Sequence, residues 1–333
     1  MIYNGIEIHG ASWVEETENG VIPRRYPAAV REALNDIGQG AALNLCGVEL
    51  RFVPEGEVKI TLSTASGKGM NRAQLYYGST QAGWETGEVK ITGTPKEITF
   101  CQSERVEFLE ASAKAHGDVF SPKVLRLVVE NAPILIHSIE GNVRPPKADE
   151  VPAENVLFYG SSITHGSLAA APSTYWNRRV VESLGRDHVN LGLAGSCLVQ
   201  KEVVDWICSR TDWQVAVLEM GINMVDSVET EDYRQRVRYM LETIHAKHPD
   251  KYKFCIDVFY YYGDLFDKGR VKEYRQVMAE EVARIGSDRL IHISGLDMLT
   301  GVHGLSEDMV HPNVIGVEEI ARNMTAKLGE YLK

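Results

Sequence analysis

Two different periods run along the chain. Up to about residue 140, apolar and polar positions alternate: Val48-Glu49-Leu50-Arg51-Phe52, Val58-Lys59-Ile60-Thr61-Leu62 and Val89-Lys90-Ile91-Thr92 follow this pattern, and Ile134-Leu135-Ile136-His137-Ser138-Ile139 runs mostly apolar. Successive side chains of a strand point to opposite faces, so a period of two punctuated by Gly and Pro marks strands. With Leu75-Tyr76-Tyr77, Glu97-Ile98-Thr99-Phe100 and Val124-Leu125-Arg126-Leu127-Val128-Val129, these runs predict a jelly-roll-like β-sandwich, with a short helix over residues 27–34.

The stretch Val143-Arg144-Pro145-Pro146-Lys147-Ala148-Asp149-Glu150-Val151-Pro152 is rich in proline and charge, the composition of a joint between domains. Beyond it, strand-like runs at residues 156–159, 188–191, 215–219, 254–259 and 290–293 alternate with longer helical stretches. Tyr233, Val237, Met240, Leu241 and Ile244 make one helical stripe, and Ile320, Met324 and Leu328 another. This alternation predicts an α/β domain whose parallel sheet is covered on both faces and binds ligands beyond the carboxyl ends of its strands. The expected organisation is a sandwich over residues 1–145, a linker over 146–153 and a second domain over 154–333.

A length of 333 residues agrees with two domains. The formal charge of -11 argues against nucleic acid and anionic membrane surfaces as partners, because both are bound through clustered Lys and Arg. No apolar run approaches the length of a membrane span, and Met1-Ile2-Tyr3-Asn4-Gly5 carries neither the basic head nor the apolar core of an export signal, so a cytoplasmic location is expected. Cys46, Cys101, Cys197, Cys208 and Cys255 are odd in number and lack metal-ligand spacing, which reads as small buried thiols in a reducing compartment. Cys197 alone lies close enough to a candidate site to be reactive if exposed. His245 and His248 lie three apart just ahead of Pro249 and read as solvated residues at a helix end rather than a metal pair. No phosphate loop or dinucleotide fingerprint occurs, so neither cofactor nor metal is expected; a homo-oligomer stays open.

The chemistry is carried by separated segments. Asp308 and His311 are three residues apart, so the carboxylate can reach one ring nitrogen and leave the other free. On its own this spacing better suits an Asp308 that caps the helix beginning near Pro312 and a His311 that is polar surface; the further segments shift the balance. Upstream, a strand-like run ends in Gly160-Ser161-Ser162-Ile163-Thr164, and a serine hydroxyl becomes nucleophilic once an imidazole, oriented by a carboxylate, takes its proton. Between them, Asn190-Leu191-Gly192-Leu193-Ala194-Gly195-Ser196 lets the backbone approach a developing oxyanion, and Asn223, after the run at residues 215–219, can donate a second hydrogen bond.

These four segments, in this order, resemble the SGNH subfamily of GDSL-type esterases and lipases. The resemblance covers the C-terminal half and implies a three-layer α/β/α, flavodoxin-like fold. It matches Ser162 to the nucleophile, Asp308 and His311 to the acid and base, and Ser162, Gly195 and Asn223 to the oxyanion hole. Two positions depart from the pattern: Ser161 stands where aspartate is usual, and Met224 where an aspartate commonly follows the asparagine. The missing second glycine of a Gly-x-Ser-x-Gly elbow argues against an α/β-hydrolase fold.

The sandwich fused to such a domain is similar to two-domain carbohydrate esterases, which implies an O-acetyl ester of a carbohydrate as substrate. A short-chain lipid or aryl esterase is the enzymatic alternative, and an inactive carbohydrate-binding protein on the same fold the non-enzymatic one. His165, three after Ser162, either lines the pocket or serves structure, and Tyr260 and Tyr261 either form a sugar-stacking or acyl-pocket wall or pack in the core.

Overall fold

The computed structural model describes residues 1–83 and 86–332; Trp84, Glu85 and Lys333, the last of these the expected end of the second domain, lie outside the described residues. The chain forms two compact units, one of Met1–Pro27, Ala42–Ala153 and Gly185–Val189, the other of Ala28–Ala41, Glu154–Leu184 and Asn190–Lys333.

In the first unit the alternating runs pair into two antiparallel sheets. Glu49–Pro54 and Met70–Tyr77 flank Leu125–Val129 in one, and Lys96–Phe100 and Ile134–Glu140 flank Val58–Thr64 in the other. Leu50, Phe52, Leu75, Leu125 and Leu127 of the first sheet share one core with Val58, Ile60, Leu62, Ile134 and Ile136 of the second, which is a sandwich. A helix at Val106–His116 was not legible from the period-two pattern.

The polar positions of Glu49–Pro54 are not solvated. Glu49, Arg51, Arg126 and Asp187 are all buried. Arg51 and Arg126 stand directly opposite each other across neighbouring strands, and two carboxylates offset that repulsion. The Arg51 fork donates to both Asp187 oxygens at 2.6 and 2.7 Å and its Nε to Glu49 at 2.7 Å, while Arg126 grips Glu49 with bonds of 2.7 and 2.8 Å. The Phe120 ring lies 3.7 Å from the Arg126 guanidinium and 5.1 Å from that of Arg51. Burial alone would raise the Asp187 carboxyl, but the Arg51 guanidinium and His9 beside it hold it well below the usual carboxylate range. These bonds, with His9 Nε2 against the His188 carbonyl at 2.8 Å, explain why residues 185–189 cluster with the sandwich rather than with the expected second domain.

The second unit is a five-stranded sheet in the order Asp187–Gly192, Asn155–Gly160, Val215–Glu219, Tyr252–Ile256, Leu290–Ile293, with only the last three residues of the first strand belonging to this unit. The registers of Asn155–Gly160 on Val215–Glu219, and onward to the last strand, are parallel. Val156, Phe158, Val215, Val217, Phe254 and Ile256 share a core with Trp176 and Val180 of one helix and Ile320, Met324 and Leu328 of the last helix, Val314–Gly329. Alternation turns Leu157, Ala216 and Leu218 to the other face, and helices Lys201–Ser209, Thr230–Lys247 and Val271–Ile285 pack together as a separate group. The result is a three-layer α/β/α unit. Its order reverses direction at Asn155–Gly160, and such a switch point opens a crevice at the carboxyl ends of the strands. No helix of the described residues is long and apolar enough to cross a membrane.

Residues 28–41, expected to lie within the sandwich, cluster with this second unit. The Ser196 hydroxyl donates to Asn35 at 2.8 Å, and Ile37 stands against Gly195.

Candidate active site

Asn155–Gly160 leads into a single helical turn, Ser162–His165. A Cβ at Gly160 would lie 2.3 Å from Thr164 Oγ1 and 2.5 Å from Glu219 Oε2, so only glycine lets the chain turn here. Ser161 caps the turn by accepting from the Ile163 N–H at 3.2 Å, and its own hydroxyl donates to Glu219 at 2.7 Å. Ser161 is fully buried and so engaged, whereas Ser162 lines a cavity and meets the histidine. As the first residue of the turn, Ser162 has an N–H without an intrahelical acceptor.

His311 Nε2 lies 2.7 Å from Ser162 Oγ and His311 Nδ1 lies 2.5 Å from Asp308 Oδ2. With the Nδ1–H donating to the carboxylate, Nε2 is left to accept the serine proton. The other Asp308 oxygen accepts from the N–H groups of Val310 and His311 at 3.0 and 2.9 Å. Partial burial pushes the Asp308 carboxyl up, but these backbone donors and the imidazole hold it below its usual value. Met309 takes φ 58, a left-handed conformation costly for a side-chain-bearing residue, and its carbonyl accepts from the Tyr262 N–H at 2.8 Å. The final helix is capped by Asn313, whose Oδ1 accepts from Ile315 and Gly316, so Asp308 is not the cap.

Gly195 lies at φ 69, where an added Cβ would come within 3.1 Å of Ile37 Cγ2. Asn223 Oδ1 accepts from the Cys197 N–H at 3.0 Å, which leaves its amide NH2 for the cavity that Asn223 lines. That cavity, about 430 Å³, gathers Ser162, Gly195, Asn223, Asp308 and His311 with Leu168, Ile222, Asp226, Tyr261, Tyr262 and Val310. No Lys or Arg lies among the described residues lining it. A cleft of about 560 Å³ beside Lys201, Arg236 and Tyr239 has no Ser, His or Cys among its described lining residues, so its size does not make it the seat of acyl chemistry.

Residues 153–329 match the model of the GDSL-like lipase/acylhydrolase family, which is more than half of the 333-residue chain. The chain belongs to this family. Among solved structures, it is similar to the salicylyl-acyltransferase SsfX3 from a tetracycline biosynthetic pathway, at 17% identity, covering 99% of this chain and 97% of that one with a TM-score of 0.74. It is also similar to a family two carbohydrate esterase from Clostridium thermocellum in complex with cellohexaose, at 13% identity, covering 98% and 99% with a TM-score of 0.62. A third is the acetyl xylan esterase Est2A from the rumen bacterium Butyrivibrio proteoclasticus, at 12% identity, covering 100% and 97% with a TM-score of 0.56. At such identities the likeness is one of fold. No curated protein matches the chain.

For this member of the acylhydrolase family, five of the residues singled out from sequence, Ser162, Gly195, Asn223, Asp308 and His311, line one cavity. Tyr261 lines it too, but Tyr260 packs against the core beneath the sheet and Tyr262 takes the wall position instead. The strand ends at Ile256, so its alternation does not reach these tyrosines, and a helix starts at Tyr262. His165 is buried, with Nδ1 against the Gly192 carbonyl at 3.1 Å, and is not part of the lining. Cys197 is buried and burial holds its thiol well above the usual value, so it is not the reactive thiol that exposure would have made it. Two polar residues escaped sequence reasoning. Asp226 looks like any exposed loop acid, and Glu219 sits in an apolar run, where a lone carboxylate was itself the unread signal. Burial pushes Glu219 up to about 7 although Ser161 and Thr164 donate to it.

Proposed function

We propose that the protein is a serine esterase that removes short acyl groups, acetyl first among them, from carbohydrate hydroxyls. The observation that carries the reading is the unbroken hydrogen-bonded line from Ser162 Oγ through His311 to Asp308 at the edge of a cavity. Ser162 attacks the ester carbonyl as His311 takes its proton. The tetrahedral oxyanion is met by the N–H groups at Ser162 and Gly195 and by the Asn223 amide. His311 then returns the proton to the leaving alcohol, and water, activated by the same imidazole, releases the acyl group. Asp308 orients the ring and stabilises the imidazolium.

The Cys197 bond fixes which end of the Asn223 amide faces the cavity. Asn223→Ala is therefore expected to lower kcat on nitrophenyl acetate by about 10²- to 10³-fold with little change in KM. Steady-state kinetics on folded protein checks this.

For the alcohol side, the support is the polar pair Asp226 and Tyr262, which line the cavity together with the apolar Leu168, Ile222 and Val310. The Tyr262 hydroxyl donates to Asp226 Oδ2 at 2.8 Å, holding a carboxylate whose remaining lone pairs suit hydroxyl donors. The described lining residues include no Lys or Arg to give purchase to an anionic alcohol or acyl group. Asp226→Ala should raise KM for acetylated xylo-oligosaccharides about tenfold, the worth of one bond to a charged acceptor, and leave KM for nitrophenyl acetate unchanged. Rates across a nitrophenyl ester series, set beside acetylated xylo-oligosaccharides, test the substrate class. Preference for longer acyl chains and no sugar deacetylation would make it a lipid or aryl esterase instead.

A further inference from the structure

Glu219, at the carboxyl end of Val215–Glu219, is the one acid in an otherwise apolar strand, and it is 1% exposed. Burying an ionisable carboxylate costs several kcal/mol unless donors surround it, so packing alone is a poor reason for its presence. The donors come from the nucleophile turn. Glu219 Oε2 accepts from Ser161 N–H at 2.7 Å, Ser161 Oγ–H at 2.7 Å and Thr164 Oγ1–H at 3.0 Å, and it occupies the space that a Cβ at Gly160 would need. Its backbone carbonyl also accepts from Cys197 Sγ at 3.5 Å, and Cys197 is the residue whose N–H fixes Asn223. One strand end thus ties the turn carrying Ser162 and the segment carrying Gly195, and that segment in turn holds Asn223.

We propose that Glu219 is a positioning residue for Ser162, its Oε2 gathering the Ser161 and Thr164 donors that hold the nucleophile turn in place. This rests on the reading of Ser162 as nucleophile. It accounts for serine at position 161: an aspartate there would set a second carboxylate about one hydrogen-bond length from the first, and like charges at that range do not both stay ionised.

The test compares Glu219→Ala, which removes the acceptor, with Glu219→Gln, whose amide oxygen can still accept from the Ser161 and Thr164 donors. The readouts are the second-order rate at which a fluorophosphonate modifies Ser162, kcat and KM on nitrophenyl acetate, and the melting temperature. Glu219→Ala is expected to slow modification and kcat by on the order of 10- to 100-fold with KM nearly unchanged, since displacement of a nucleophile by a fraction of an ångström acts on the reacting geometry. Glu219→Gln should recover to within about fivefold of the wild type, because the acceptor is kept. A folded Glu219→Ala protein modified at the wild-type rate overturns the proposal. So does a folded Glu219→Gln protein no faster than Glu219→Ala, or loss of fold in both, which would make Glu219 a core residue only. If the wild type itself is not modified at Ser162, the nucleophile assignment fails first and takes the proposal with it.

Discussion

Ser162→Ala is expected to abolish ester hydrolysis, lowering kcat by on the order of 10⁴-fold or more, while the protein keeps its melting temperature. The hydroxyl is the only atom lost, and in the folded protein its partner is the His311 imidazole at 2.7 Å. Neither the core beneath the sheet nor the cap of the turn depends on it, since Ser161 supplies the cap. His311→Ala should cost about as much, and the double variant little more than either single one, because residues that act as one relay are non-additive. Turnover of nitrophenyl acetate by the three folded variants, each checked for contaminating hydrolase, measures this. A Ser162→Ala protein that keeps a tenth or more of wild-type kcat would remove the serine from the mechanism.

The second large effect is on stability. Arg51→Ala should destabilise the protein by about 3–5 kcal/mol at neutral pH, because it strands buried carboxylates that had been paired. Asp187 loses both of its fork bonds; Glu49 keeps Arg126 but loses one of its two guanidinium partners. The pH dependence follows from the depressed Asp187 carboxyl. Its stabilising contribution is complete above the ordinary carboxylate pKa of about 4 and is lost as pH falls towards the folded-state value. The stability gap between wild type and Arg51→Ala should therefore hold from about pH 7 down to about 5 and narrow as pH falls through about 4 and below. Urea unfolding of both proteins across this range checks it. A gap that is small at neutral pH, or that widens on acidification, would contradict the role given to the network.

The architecture was legible because the period of the apolar pattern changes from two to the longer helical spacing near the proline-rich stretch at 143–152, and covalent order then fixes the layers. Ser162, Gly195 and Asn223 were legible because each follows an apolar run, and the carboxyl ends of parallel strands converge. What escaped depends on contacts between residues far apart in sequence. The segment at 28–41 carries no periodic sign that Asn35 meets Ser196. The alternation of Glu49 and Arg51 reads as a solvated strand face until Asp187, 136 residues beyond Arg51, supplies the counter-charge. Glu219 breaks an apolar strand for a reason visible only once Ser161 and Thr164 are beside it. Of the two alternatives for Tyr260 the structure takes core packing, and Tyr262 lines the cavity, because the strand ends at Ile256 and a helix starts at Tyr262. The alternation of apolar residues specifies which elements form; polar partnerships across the fold are set by the chain's return path, which no local period encodes.

The claim on which the rest depends is that Ser162 is the hydroxyl made nucleophilic by His311. Peptide mapping by mass spectrometry after brief treatment of the folded protein with a fluorophosphonate tests it most directly. The account predicts one adduct, on Ser162 and not on the adjacent Ser161, that disappears in His311→Ala; an adduct on Ser161, or none on folded wild-type protein, would contradict it.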